Sequence, residues 1–183
     1  QLSKLDAVSE QEKTELYEMV GLAALKYFLL KVDPKKQMLF DPAASIDMQG
    51  HTGPFIQYTY ARTKRLLKKA QAEFPVPSSQ LSDAHGQLTT DNHALLPEER
   101  TVIKLLHQFP AMLEEAAARL DPSALANHTY ELVKAYNTFY QAVTVLKEED
   151  GAKRNFRIGL SAATASATKR AMWCLGIDVP ERM

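Results

Sequence analysis

Apolar side chains recur three and four positions apart over most of this 183-residue sequence, and that period is typical of amphipathic α-helices. The clearest stripe runs from Leu16 to Phe28, in a segment that Ser9 can cap and that Asp33-Pro34 would end. Further helical patterns follow at 54–73, 98–108, 111–120, 122–147 and 152–175. The spacing predicts an all-α fold, a helical bundle of five or six helices, with one short strand expected at 37–40.

Proline and glycine predict where the helices end. Pro54 and Pro122 suit the first turn of a helix, where the missing N–H is not needed. Pro110 is expected to separate two helices, and Gly176 is expected to cap the last one. From 74 to 96 the sequence is rich in Pro, Ser, Asp, Asn and His without any period, which predicts a mobile surface loop.

Composition narrows the classes of function. The formal net charge is zero, which argues against a purely electrostatic binder of nucleic acid. The single cysteine, Cys174, excludes an intrachain disulfide and is predicted to be a small buried side chain in a reducing compartment. No apolar run approaches the roughly 20 residues that span a bilayer, and no signal-peptide pattern is present. We therefore expect a cytoplasmic protein without membrane contact.

The sequence offers no catalytic constellation. It has no glycine-rich phosphate loop, no Gly-x-Ser-x-Gly motif, and no Cys or His set with metal-ligand spacing. The five histidines are scattered. The prediction is that this chain carries no catalytic residue, no metal site and no cofactor of its own.

The segment 54–69 carries aromatic rings first and cations next. Arg62, Arg65 and Lys69 recur at helical spacing after Phe55 and Tyr58. Flat rings beside positive charge suit unstacked bases attached to phosphates. Two other interpretations stay open at this point: Phe55 could pack in the core, and the cations could form a solubilising surface.

The same segment resembles a known family. Gly-Pro-Phe-Ile-Gln-Tyr at 53–58, followed by Ala61-Arg62, is similar to the TGPYxQYxxAR stretch of class I arginyl-tRNA synthetases. The final residues, Leu-Gly-Ile-Asp-Val-Pro-Glu-Arg-Met at 175–183, resemble that family's C-terminus. Weaker similarities lie at 21–27, 96–110 and 130–146. Phe55 departs from the pattern, since the family often has Tyr there.

The resemblance implies a domain organisation and a function. Residues 51–183 would form the helical anticodon-binding domain of a class I aminoacyl-tRNA synthetase, and residues 1–50 would lead out of a catalytic domain that this sequence does not contain. The parent would be an arginine–tRNA ligase that uses ATP and Mg²⁺. Neither a His-Ile-Gly-His nor a Lys-Met-Ser-Lys-Ser signature occurs here, so this chain alone is expected to be inactive.

The resemblance also implies partners and contact residues. The chain would bind the anticodon stem-loop of arginine tRNA, pack against the catalytic domain of the same parent chain, and be monomeric. Base contacts are expected from four residues: Phe55, Tyr58, Tyr140 and Met183. Phosphate contacts are expected from three residues: Arg62, Arg65 and Lys69.

Two functions from other classes compete with RNA binding. A helical bundle with an acidic first helix and a basic second one could be a protein-interaction or scaffold module. It could also be a regulatory domain of an unrelated enzyme. Exposed rings beside the cations would favour RNA binding, whereas buried rings would favour a scaffold.

Overall fold

The computed structural model describes residues 9–74 and 95–183, and these residues form six helices with no strand among them. The helices are α1 (Glu10–Leu30), α2 (Pro42–Ser45), α3 (Gly53–Glu73), α4 (Pro97–Arg119), α5 (Pro122–Ala142) and α6 (Gly151–Cys174). The all-α prediction is confirmed. The short strand expected at 37–40 is wrong: Leu39 there is 91 % exposed, and the described chain offers that stretch no neighbouring strand with which to form ladder hydrogen bonds. The mobile loop predicted at 74–96 falls mostly on residues 75–94, outside the described residues.

Local capping chemistry explains where the helices begin and end. Ser9 and Glu12 form a capping box at the start of α1. The Thr52 hydroxyl accepts from the Phe55 N–H and caps α3. At the end of α6, Gly176 adopts a φ of 67°, and the Ile177 N–H donates to Met172 O at 2.9 Å. This geometry is the left-handed glycine cap that the sequence predicts.

Two predicted helix boundaries are wrong. α4 runs through Pro110 as one helix instead of two. Pro removes one backbone donor and its ring crowds the preceding turn, but Phe109 beside it packs against both core clusters and offsets that cost. α5 ends at Ala142 instead of 147, since Val143 is extended. The extended backbone lets Val145 enter the core, where it is buried.

Two clusters of buried apolar side chains hold the helices together. The first joins α1, α3, α4, α5 and α6, and it includes Tyr27, Ile56, Ala126 and Met172. The second joins α3, α4, α5 and α6, and it includes Leu66, Val102, Leu132, Phe139 and Leu160. Because α3 packs its inner side on α6, Tyr58, Arg65 and Lys69 on its other side stay exposed.

The first and last helices expose apolar or reactive side chains that were expected inside. In the predicted α1 stripe, Ala23, Ala24 and Tyr27 are buried, whereas Leu16 and Phe28 are only half-buried. Cys174 is exposed, so the prediction of a buried thiol is wrong; the last turn of α6 turns this residue away from the core. Within the described ranges, no helix is both long and apolar enough to cross a bilayer.

Gly53 marks the closest approach between α1 and α3. A Cβ at this position would lie 2.4 Å from Ala23 O and 3.1 Å from Tyr27 Cβ. We expect Gly53→Ala to lower the free energy of unfolding by about 1–3 kcal/mol, because two backbones would have to separate. Urea denaturation measures the loss. Gly21→Ala is the matched control, since a methyl group added there would meet no described atom of another element within 4 Å. An equal loss at Gly21 would contradict the packing explanation.

Candidate nucleic-acid interface

Six of the seven side chains expected to touch RNA line one surface groove. The groove has a volume of about 520 Å³. The outer face of α3 forms one wall, and the end of α5 with the turn at 143–147 forms the other. The expected contact residues along it are Tyr58, Arg62, Arg65, Lys69, Tyr140 and Met183. Residues from α3, from the end of α5 with the turn that follows it, and from the C-terminal tail thus meet at a single site.

Aromatic rings and cations alternate inside this groove. Tyr58 is 36 % exposed, and Arg65 and Lys69 are exposed further along α3. The Arg62 guanidinium lies over the Tyr140 ring, with its Cζ 4.6 Å from the ring centroid. The arrangement offers ring faces and positive charge together, which is the combination that single-stranded bases and their phosphates favour.

The last residues of the sequence run along α3 and bring Met183 into the groove. Lys26 Nζ donates to Gly176 O at 2.6 Å, and Gln57 Nε2 donates to Asp178 O at 2.7 Å. Lys64 pairs with Glu181 at 3.1 Å. Because these contacts are spread along the tail, Met183 is placed beside the α3 cations instead of extending into solvent.

A buried ion cluster fixes the opposite wall. Arg157 in α6 is buried, and its Nη1 donates to a Glu148 carboxylate oxygen at 2.6 Å and to Thr144 O at 3.3 Å. Its Nε donates to the Glu99 carboxylate at 2.8 Å, and the other Glu99 oxygen accepts from the Leu96 N–H at 2.9 Å. The turn that lines the groove is therefore tied to α4 and α6 through one guanidinium.

Sequence reasoning missed this role of Arg157. The spacing of residues around Arg157 does indicate that this side chain is buried. Arg157 is in register with Leu160, Ser161 and Thr164 at helical spacing, and all four are buried. A cation in register with a buried face needs acidic partners.

Phe55 lies outside the groove. Its side chain is half-buried and packs against the first core cluster, with its ring 5.7 Å from that of Tyr130. This position agrees with the alternative interpretation, in which Phe55 is a packing residue. Phe55 is therefore not among the base contacts proposed for the groove. Phe55 follows the α3 cap by three residues, whereas Tyr58 lies one turn further along the helix.

A half-buried histidine joins the entrance of α3 to α1 and α5. The Tyr27 hydroxyl donates to Ala126 O at 2.8 Å, so His51 Nε2–H donates to the Tyr27 hydroxyl oxygen at 2.9 Å. The His51 ring stacks on Tyr130 at 3.9 Å. Burial, with the charges of Lys31 and Lys134, lowers the pKa of His51 to about 4. The imidazole is therefore neutral in the folded protein near pH 7.

This histidine predicts acid sensitivity. The pKa of His51 is lower in the folded state than its ordinary value of 6.5, so the unfolded state binds the proton first, and stability falls as pH drops from about 6.5 toward 4. We expect a loss of about 1–2 kcal/mol between pH 7.5 and 5.0 from this half-buried group. Urea denaturation of the wild type and His51→Gln at both pH values isolates the effect, since burial also lowers the pKa of His128. An equal loss in both proteins would assign the sensitivity to other groups.

In the described ranges 9–74 and 95–183, no three His, Cys, Asp or Glu side chains are arranged to hold a metal ion.

The fold is that of helical anticodon-binding domains. It aligns with the Thermus thermophilus arginyl-tRNA synthetase with a TM-score of 0.80 and 27 % identity, over 100 % of this chain and 29 % of that one. It aligns with the Plasmodium falciparum arginyl-tRNA synthetase with a TM-score of 0.79 over 99 % of this chain and 30 % of that one, and at 22 % identity that likeness concerns the fold alone. The sequence pattern of the DALR anticodon binding domain matches residues 56–183, and the chain belongs to that family.

Relatives in sequence agree with this assignment. The chain is 48 % identical to the arginine–tRNA ligase of Flavobacterium psychrophilum over 100 % of its own length and 28 % of that protein. It is 46 % identical to the arginine–tRNA ligase of Amoebophilus asiaticus, again over 100 % of its length and 30 % of the relative. The chain spans less than a third of the length of these curated relatives.

Proposed function

We propose that this chain is the tRNA-binding part of an arginine–tRNA ligase and that it binds the anticodon stem-loop of arginine tRNA in the groove between α3 and the α5–α6 turn. The observation that carries the proposal is the meeting of Tyr58, Tyr140 and Met183 with the α3 cations in one groove. Membership of an anticodon-binding family supports it.

Each side of the groove has a distinct task in this proposal. Loop bases, which are unstacked and splayed, stack on the rings of Tyr58 and Tyr140 and touch the Met183 side chain. Arg65 and Lys69 are exposed along α3, and they contact phosphates of the stem without reading sequence. The exposed Tyr58 ring beside these cations favours RNA binding over a scaffold role.

The surface of α1 suits a different partner. Tyr17, Leu22, Leu25 and Leu29 expose large apolar side chains along this helix. Contiguous apolar surface of this kind marks a protein contact. We assign this face to the catalytic region of the same parent chain, which would attach arginine to tRNA with ATP and Mg²⁺ in the cytoplasm. The chain alone would then bind tRNA as a monomer without forming the adenylate, and arginine-dependent ATP turnover by it would contradict this.

Binding titrations test the proposal. The chain is titrated with arginine tRNA and with a non-cognate tRNA at low and at physiological salt. We expect tighter binding of the arginine tRNA, with an affinity that falls as salt rises because phosphate contacts release counterions. Equal affinity for both tRNAs would leave only the phosphate contacts. No binding at low salt would overturn the proposal and favour a scaffold.

A further inference from the structure

Arg62 differs from the other groove cations in its surroundings. Arg65 and Lys69 are exposed, whereas Arg62 is half-buried. Its guanidinium lies over the rings of two groove tyrosines, 4.6 Å from the centroid of Tyr140 and 5.8 Å from that of Tyr58. A cation that follows phosphates is solvated and mobile, but this guanidinium lies between the two rings proposed to receive bases.

A short relay of hydrogen bonds holds that guanidinium in place. The Thr59 hydroxyl donates to Phe55 O at 3.0 Å, so its oxygen is available to accept from Asn137 Nδ2 at 3.1 Å. This contact turns Asn137 Oδ1 toward Arg62, whose Nη2 donates to it. Asn137 belongs to α5 and Arg62 to α3, so the relay spans both walls of the groove.

The relay leaves one end of the guanidinium for a ligand. Arg62 Nε is buried and has no hydrogen-bond partner among the described residues. Nη2 already donates one N–H to Asn137 Oδ1, so Nη1 and the second N–H of Nη2 are the donors left for a molecule in the groove. A planar group with fixed orientation and parallel N–H donors matches two adjacent acceptors, which phosphates offer and which some base edges also offer.

We infer that Arg62 reads a base edge in the anticodon loop instead of contacting a phosphate, and that Asn137 and Thr59 are its positioning residues. This inference rests on the proposed function. The base that it selects presents two neighbouring acceptors, as guanine does with O6 and N7 and cytosine with O2 and N3. Adenine and uracil place a donor in one of those positions, so the guanidinium discriminates against them.

The test compares Arg62 with a neighbouring cation of the same groove. Arg62→Lys keeps the charge and removes the planar fork, while Arg65→Gln removes an exposed charge. Affinity is measured for the arginine anticodon stem-loop, and for stem-loops in which each loop guanine or cytosine is replaced singly, over a series of salt concentrations. Urea midpoints of both variants are measured to compare their folding.

Arg62→Lys is expected to weaken binding about 5- to 150-fold and to abolish the preference for at least one guanine or cytosine. Arg65→Gln is expected to keep every base preference and to reduce the salt slope by roughly 0.7–0.9. Asn137→Ala, which leaves the charge and both rings in place, is expected to weaken the same base preference with the salt slope unchanged.

Two results overturn the inference in different ways. If the wild-type chain binds every stem-loop equally, or binds none, the proposed base reading falls together with the role of Arg62. If the wild type discriminates and Arg62→Lys discriminates equally well, the proposed function stands and Arg62 is a phosphate or packing residue.

Discussion

Replacing Arg157 with Ala is expected to lower the free energy of unfolding by about 3–5 kcal/mol, because the change leaves a buried carboxylate without its counter-charge. Glu99 is fully buried, and Arg157 Nε is 2.8 Å from its carboxylate. The same change also removes the donors to Glu148 and to Thr144 O. A loss of this size is a large part of the roughly 5–15 kcal/mol that stabilises a typical domain.

A double-mutant cycle separates lost charge pairing from lost packing. Urea denaturation is measured for Arg157→Ala, Glu99→Ala and the double variant. The double variant should be destabilised by much less than the sum of the single changes, since it removes both buried charges together. Arg157→Lys, which keeps charge but not the fork that reaches three acceptors, should fall between wild type and Arg157→Ala. Strict additivity would show that the pair is not coupled.

Replacing Tyr58 with Ala is expected to weaken binding of the arginine anticodon stem-loop by about 5- to 150-fold, because one base loses its aromatic platform. Tyr58 presents its ring at the groove with the Arg62 guanidinium 5.8 Å from the ring centroid. Tyr58→Phe should keep most of the affinity if stacking, and not the hydroxyl, supplies the contact.

An exposed tyrosine elsewhere provides the matched control. Tyr17 on α1 is 53 % exposed and does not line the groove. Tyr17→Ala should leave stem-loop affinity unchanged, whereas Tyr140→Ala should weaken it as Tyr58→Ala does. An equal loss of affinity in Tyr17→Ala would mean that binding depends on the number of exposed aromatic rings and not on the groove.

Features set by neighbouring residues were accessible to prediction from the sequence. Ser9 with Glu12, Pro54 and Gly176 place the helix ends through backbone chemistry that acts within one turn. Spacing of three and four residues also placed Arg62, Arg65 and Lys69 along one side of α3. Tyr140 and Met183 were predicted from the family resemblance, since no local pattern brings them to α3.

Features set by distant residues were not accessible. Pro110 stays inside a helix because its neighbours Phe109 and Leu113 pack against the core and offset the cost of the proline. From the sequence alone Arg157 cannot be matched to its buried partner, because Glu99 lies 58 positions away. Arg62 resembles its neighbours in sequence, and its contacts with Asn137 and Tyr140 on another helix distinguish it. These three features depend on tertiary contacts, which a local pattern does not contain.

The close contact at Gly53 makes this residue the pivot about which α3 can tilt relative to α1. Gly53 meets the backbone of Ala23, and Lys69 lies sixteen residues further along the same helix, which is about 24 Å at 1.5 Å per residue. A tilt of about 5° at the pivot would displace Lys69 by roughly 2 Å, more than a hydrogen bond tolerates. The fit of one glycine against α1 would thus set the direction in which Lys69, at the far end of α3, points.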